Sequence, residues 1–205
     1  MKISLEHISK RFQRHWIFKD VNFHFTSPGA YAILGQNGSG KSTLLRIIAG
    51  MQSASAGKVF FSDNDTEIPK EKIFSHISFC APSQEIVEEM TLAEFLKFHF
   101  SFKPIYPGLD IEQVIKLTGL EAAKDKQISD YSSGMKQRVK LAQAIFTASP
   151  ILLLDEPCTN LDDDGVLQYR EWIEQYTANK LVIVASNDVR EYHFCKERIS
   201  MQEYK

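Results

Sequence analysis

Tyr31-Ala32-Ile33-Leu34-Gly35-Gln36-Asn37-Gly38-Ser39-Gly40-Lys41-Ser42-Thr43 decides the fold. Its first four residues form a short apolar strand, and Gly35 to Ser42 fit the pattern G-x-x-x-x-G-K-[ST]. Beyond it, Leu44, Leu45, Ile47 and Ile48 recur at helical spacing across Ser42 to Ala49. A strand, a glycine-rich loop and a helix in that order make an anion cradle. The glycines let successive backbone N–H groups turn inward, where side chains would block the approach of phosphate oxygens. The helix adds the positive end of its dipole. This pattern makes residues Gly35, Gln36, Asn37, Gly38, Ser39, Gly40, Lys41, Ser42 and Thr43 the candidate nucleotide-binding set. Lys41 is expected to reach the β- and γ-phosphates, and Ser42 to ligate Mg²⁺.

Further along, Ile151-Leu152-Leu153-Leu154 is an apolar strand that ends in Asp155 and Glu156. A rigid buried strand can aim Asp155 at the shell of a magnesium ion. Glu156, one residue on, is placed to accept a proton from water attacking the γ-phosphate. Asn179-Lys180-Leu181-Val182 comes close to a guanine-reading N-K-x-D, but Val182 stands where the aspartate is needed. That disfavours GTP, though the phosphate loop alone does not choose among kinases, GTPases and ATPases.

The surroundings suit one α/β domain. The chain has 205 residues, 43% hydrophobic, enough for one large core but not two full domains. Its 24 basic and 26 acidic residues are scattered, so no basic field points to nucleic acid. Cys80, Cys158 and Cys195 lie far apart without metal-ligand spacing, as reduced thiols in a cytosolic protein would. The apolar runs are four or five residues long, far short of the ~20 that cross a bilayer. The first 25 residues alternate like antiparallel strands, with a break placed at Lys10 to His15. Val59–Phe61, Ile77–Phe79 and Leu181–Ala185 are further strands, and Gly165–Tyr176 a helix. From Thr91 to Ala148 the spacing is mostly helical, opened by a capping box between Thr91 and Glu94.

Tyr131-Ser132-Ser133-Gly134-Met135-Lys136-Gln137-Arg138 opens an amphipathic helix about twenty residues before Asp155. Here the chain resembles the ABC (ATP-binding cassette) ATPases, whose signature most often reads L-S-G-G-Q. Tyr131, Ser133 and Met135 depart from that wording, while Ser132 and Gly134 keep the Ser-x-Gly core. Pro157-Cys158-Thr159-Asn160-Leu161-Asp162 is similar to the family's D-loop, and Lys10-Arg11-Phe12 to the segment whose aromatic ring stacks on adenine. The resemblance spans nearly the whole chain. It implies a P-loop NTPase fold of the ABC-ATPase type: a parallel-core sheet, an N-terminal antiparallel β subdomain and a helical subdomain. Residues 1–88 and 149–205 would form the catalytic lobe, and residues 89–148 the helical signature lobe.

The resemblance also implies a head-to-tail homodimer or heterodimer of ABC subunits. Each ATP would lie between Lys41 of one subunit and Ser132 and Gly134 of the other, with Phe12 against the base. Transmembrane permease subunits would be the partners, docked near residues 83 to 102, with the chain peripheral on the cytoplasmic face of the membrane. The short chain and its signature wording look more like exporter than importer ATPases. A soluble ABC ATPase in a regulatory or nucleic-acid role is the alternative.

Two positions depart from the family pattern. The magnesium-sensing glutamine is expected at Pro82 or Ser83, and Gln84 follows one or two residues late as the candidate ligand. Asn187 occupies the place of the usual histidine. It can hydrogen-bond a γ-phosphate but cannot carry a positive charge, which implies slow basal turnover. Phe95, Phe98, Phe100 and Phe102 read mostly as core, Lys10, Arg11, Arg14 and His15 as a solvated turn, and Asp162 to Asp164 as the D-loop acid with helix caps.

Overall fold

The computed structural model describes residues 1–64 and 66–205. The chain opens with β1 (Lys2–Phe12) and β2 (His15–Thr26), paired antiparallel from Lys2↔Thr26 to Phe12↔His15. The connection is therefore only Gln13 and Arg14, shorter than the break expected from Lys10 to His15. Cross-strand pairing continues through those polar residues, and Gln13 turns the chain at φ 52°. β3 (Gly29–Leu34) leads through the glycine loop into α1 (Lys41–Ile48). β4 (Ala56–Asp63) and β5 (Thr66–Glu67) complete a sheet of order β2-β1-β4-β5.

After α2 (Ile73–His76) and β6 (Ile77–Cys80) come three helices: α3 (Leu92–Phe102), α4 (Ile111–Thr118) and α5 (Ser133–Ile145). The capping box expected at Thr91 is present, with Thr91 and Glu94 satisfying each other's backbone N–H groups. Then follow β7 (Ile151–Asp155), α6 (Asp163–Tyr176), β8 (Leu181–Ala185), α7 (Val189–Tyr192) and β9 (Glu197–Ser200). β6, β7, β8, β3 and β9 form a sheet in that order, parallel at every step.

This parallel sheet divides the interior. Ile151, Leu153, Leu181 and Ile183 face one way, onto α1 and the antiparallel sheet. Leu152, Leu154, Val182 and Val184 face the other, onto α3, α4, α5 and α6. All eight are 2% exposed or less. Period-two alternation sends neighbours in sequence to opposite cores, which is why these strands read as continuous apolar runs. Each such side chain contributes roughly 1.5–3 kcal/mol by leaving water.

The four phenylalanines of α3 do not behave alike. Phe95 is buried, but Phe98 and Phe102 are 46% and 67% exposed. Four residues apart, they share the outer face of the helix, and their rings meet edge to face at 5.1 Å. The reading of all four as mostly core is corrected for this pair.

Candidate functional site

The loop between β3 and α1 is built around its glycines. Gly40 has φ 103°, a left-handed conformation, and a Cβ there would lie 2.7 Å from Ile17 Cγ2. Glycine is required on both counts. Gly38, at φ 77°, has nothing within 4 Å of where its Cβ would be, so the crest of the loop is open. No side chain caps α1, so its first-turn N–H groups have no intrahelical partner. Ser39 Oγ is buried without a hydrogen-bond partner. Lys41, 4% exposed, folds back and donates to the carbonyl oxygens of Gly35 at 2.8 Å and Gln36 at 3.4 Å. Free amides, an orphaned hydroxyl and a buried ammonium fit a polyphosphate.

Ile17, Asn37, Gly38, Gly40, Lys41, Ser42, Thr43 and Glu156 line a cleft of about 210 Å³. Ser42 Oγ donates to Asp155 Oδ1 at 2.8 Å across 113 residues of sequence. Asp155 is 3% exposed, and burial raises its pKa against the lowering effect of the Ser42 bond. A hydroxyl and a carboxylate are hard oxygen donors of the kind that magnesium takes together with phosphates and waters. Among the described residues no group of three or more His, Cys, Asp or Glu side chains forms a metal cage. The pair therefore fits a partial shell completed by substrate.

Glu156 follows Asp155 in a left-handed conformation, φ 43°, which costs a residue with a side chain about 1–3 kcal/mol. Its N–H donates to Ala185 O at 2.9 Å. Glu156 also lines a second small cleft, with Cys158, Thr159, Ser186, Asn187, Asp188, Arg190 and Glu191. Asn187 reaches the phosphate loop itself, Nδ2 donating to Asn37 Oδ1 at 3.1 Å.

Ser132, Gly134 and Gln84 lie away from the phosphate cleft. Ser132 caps α5, its Oγ accepting from the Met135 N–H at 3.3 Å. Gly134 is held close to the D-loop, since a Cβ there would lie 3.0 Å from Asn160 O. Gln137 strengthens that junction by donating to Pro157 O at 2.7 Å. Gln84 lines two neighbouring grooves, one with Lys136 and Lys140 and one with Phe95, Phe98 and Phe102. Its Oε1 is buried without a partner. Ser83, not Gln84, contacts α1, accepting from Arg46 Nη2 at 2.8 Å. Asp162 caps α6 as expected, accepting from Gly165 N at 2.9 Å.

Phe12 is 49% exposed, with Lys10 Nζ 5.0 Å from its ring centre. It lies two residues from Lys10, whose cross-strand partner Phe18 packs against Gly40, so it shares the face of the ribbon that turns toward the phosphate loop. Trp16, 44% exposed between Arg11 and Lys19, lies on the other face. Sequence reading missed Ile17 and Glu191. Alternation in β2 gave two faces without saying which met the loop, and a lone glutamate in a polar C-terminal stretch carries no local signal.

Residues 18–159, well over half the chain, match the family model described as ABC transporter. The chain belongs to the ABC transporter family. Among its curated relatives, "Sulfate/thiosulfate import ATP-binding protein CysA 2" of Agrobacterium fabrum is 32% identical over 181 residues, covering 85% of this cassette and 52% of the relative. "Probable sulfate/thiosulfate import ATP-binding protein CysA" of Chlorella vulgaris is also 32% identical, over 178 residues, covering 85% of the cassette and 75% of the relative. The cassette spans about half the length of most curated relatives it matches. A solved dimeric ATP-binding cassette in a post-hydrolysis state with ADP and Pi superimposes with a TM-score of 0.82, over 97% of this chain and 93% of that one, at 22% identity. That likeness is one of fold. The expectation of export finds no support in the curated relatives, whose names say import. Among the described residues no helix of the cassette is long and apolar enough to cross a membrane.

Proposed function

We propose that this chain binds and hydrolyses ATP as the nucleotide-binding subunit of an ABC transporter. One observation carries the reading: Lys41, Ser42, Asp155 and Glu156, from two distant parts of the chain, meet at one phosphate-sized cleft. Residues 35–43 would wrap the triphosphate with backbone N–H groups and the Lys41 ammonium, and Phe12 would offer its ring face to adenine. Ser42 and Asp155 would hold Mg²⁺, which when bound draws off the charge developing on the β- and γ-phosphate oxygens. Glu156 would accept the proton of the attacking water. Asn187 would hydrogen-bond the γ-phosphate without adding positive charge, so basal turnover is slow. Gln84 does not line the cleft, and it would reach the magnesium shell only through a shift of its loop.

Ser132 and Gly134 lie outside the cleft of their own chain. A second copy, or a related cassette, would present them to the γ-phosphate in a head-to-tail dimer. We take residues 1–88 and 149–205 as the nucleotide-holding lobe and 89–148 as the signature lobe. ATP binding favours closure because its γ-phosphate contacts both subunits, and hydrolysis removes that preference. Permease subunits in the membrane would follow the motion, with the cassette on the cytoplasmic face. The names of the curated relatives favour import over export.

The test is phosphate release from ATP by the purified chain, with Lys41→Ala as control, alongside capture of the chain from solubilised membranes. Mg²⁺-dependent release lost in the variant, with a stoichiometric multi-span protein captured, supports the reading. Release that survives Lys41→Ala overturns the site, and recovery only with ribosomes or DNA overturns the transport role.

A further inference from the structure

Glu191, in α7, is 4% exposed and takes no direct part in the proposed chemistry. Among the described residues it has no salt-bridge partner. Nearby Arg190 is engaged by Asp188 at 2.7 Å and Asp163 at 3.6 Å. A buried carboxylate without a cation destabilises a fold unless donors satisfy it. Here the donors come from two different loops. Oε1 accepts the Cys158 N–H at 2.6 Å, and Oε2 accepts the Ser186 hydroxyl. Tyr169 OH donates to the Glu191 backbone oxygen at 2.8 Å and pins the carboxylate's own segment.

Those two loops carry the groups that would act on the γ-phosphate. Cys158 lies two residues after Glu156, and Ser186 immediately precedes Asn187. The left-handed conformation at Glu156 persists only where its surroundings over-determine it. Its own N–H bond to Ala185 O, the 3.2 Å bond from Thr159 N to Glu156 O, and the Cys158 clasp are what hold that turn. Taking these together, we infer that Glu191 is a positioning residue that clamps the Glu156 turn to the Asn187 loop through Cys158 N–H and Ser186 Oγ. Its role is geometric, so a neutral side chain of the same shape serves as well: a glutamine can accept from Cys158 N–H and donate to Ser186 Oγ.

The inference rests on the proposed ATPase reading, and the parent chain in the same assay separates the two. A parent that does not hydrolyse ATP overturns that reading; an active parent leaves the clamp to be judged on its variants. The experiment compares kcat, KM and the Kd of a fluorescent ATP analogue for the parent, Glu191→Ala, Glu191→Gln and Ser186→Ala. Expected are a kcat about tenfold to a hundredfold lower in Glu191→Ala, as for displacement by about an ångström, a Kd much less affected because Lys41 and the loop amides that hold most of the phosphate lie outside the clamp, and recovery of most of the rate in Glu191→Gln. Ser186→Ala falls between, and the Ser186/Glu191 double alanine is no slower than Glu191→Ala alone. A Glu191→Ala variant with parental kcat overturns the clamp. So does a Glu191→Gln variant as slow as the alanine, which would mean that charge and not shape matters. Parallel loss of kcat, Kd and melting temperature in both variants also overturns it, by marking Glu191 as a general support of the fold.

Discussion

The Asn187 side-chain amide donates to Asn37 Oδ1 across 3.1 Å, joining the loop after β8 to the crest of the phosphate loop. Two neutral amides meet where the proposed reading puts the γ-phosphate. A histidine at this position would bring a ring that can protonate, and with it a charge to stabilise the transferring group. Asn187→His is therefore expected to raise the steady-state rate of phosphate release by about tenfold or more, part of the roughly hundredfold or greater contribution of a well-placed acid–base group. A rate equal to the parent's would remove the explanation offered for slow turnover.

Glu156 is the residue on which hydrolysis should depend most. Glu156→Gln keeps its shape and its neighbours but cannot accept the proton from water. Turnover should fall by about a hundredfold or more, while binding of an ATP analogue stays within about twofold. In size-exclusion chromatography with ATP, this variant should accumulate as a dimer. Parental turnover would show that another group is the base.

The two exposed aromatics of the hairpin should separate cleanly. Loss of a base–aromatic stack costs about 1–3 kcal/mol, so Phe12→Ala should raise KM for ATP roughly tenfold with little change in kcat. Trp16, on the opposite face of the ribbon, should tolerate alanine. Titration with the analogue measures both, and a larger effect at Trp16 would reverse the assignment.

His99 offers a pH test of the helical layer. It is partly buried on α3 with its Nε2 2.9 Å from Thr147 Oγ1. Burial first, and then the nearby Lys103 charge, lower its pKa to about 4. An unfolded histidine titrates near 6.5, so between these values the unfolded chain binds more protons than the folded one. Stability should thus fall as pH drops from about 6.5 toward 4, by on the order of 3 kcal/mol. His99→Gln should flatten that part of the pH–stability curve measured by urea denaturation. An unchanged curve would place the acid sensitivity elsewhere, in carboxylates that titrate over the same range.

What could be read from the residues was what local chemistry determines. The phosphate loop was legible because glycine conformation and the Lys41-Ser42 pair are contiguous, and Asp155 and Glu156 because an apolar strand ends on them. Ser132 was legible as a cap, since serine before a helix satisfies a free N–H. Gln84 was harder, because its place depends on how the segment after Cys80 packs against α1 and α5, and there Ser83 takes the contact with Arg46. β9 went unread because Glu197 and Arg198 are exposed on an edge strand and only Ile199 turns inward. Glu191 could not have been found at all, since its meaning lies in two bonds to loops 5 and 33 residues away.

The parallel sheet sends consecutive residues of β7 to opposite sides, Leu153 toward the phosphate-loop helix and Leu152 and Leu154 toward the signature helix. It acts as a bulkhead between two compartments. Substitutions in the helical compartment can reshape the outer surface of α3, where Phe98 and Phe102 stand in solvent, without crossing into the packing that fixes Lys41. If permease subunits dock there as proposed, a lineage of such cassettes could exchange one membrane partner for another while its nucleotide chemistry stayed still.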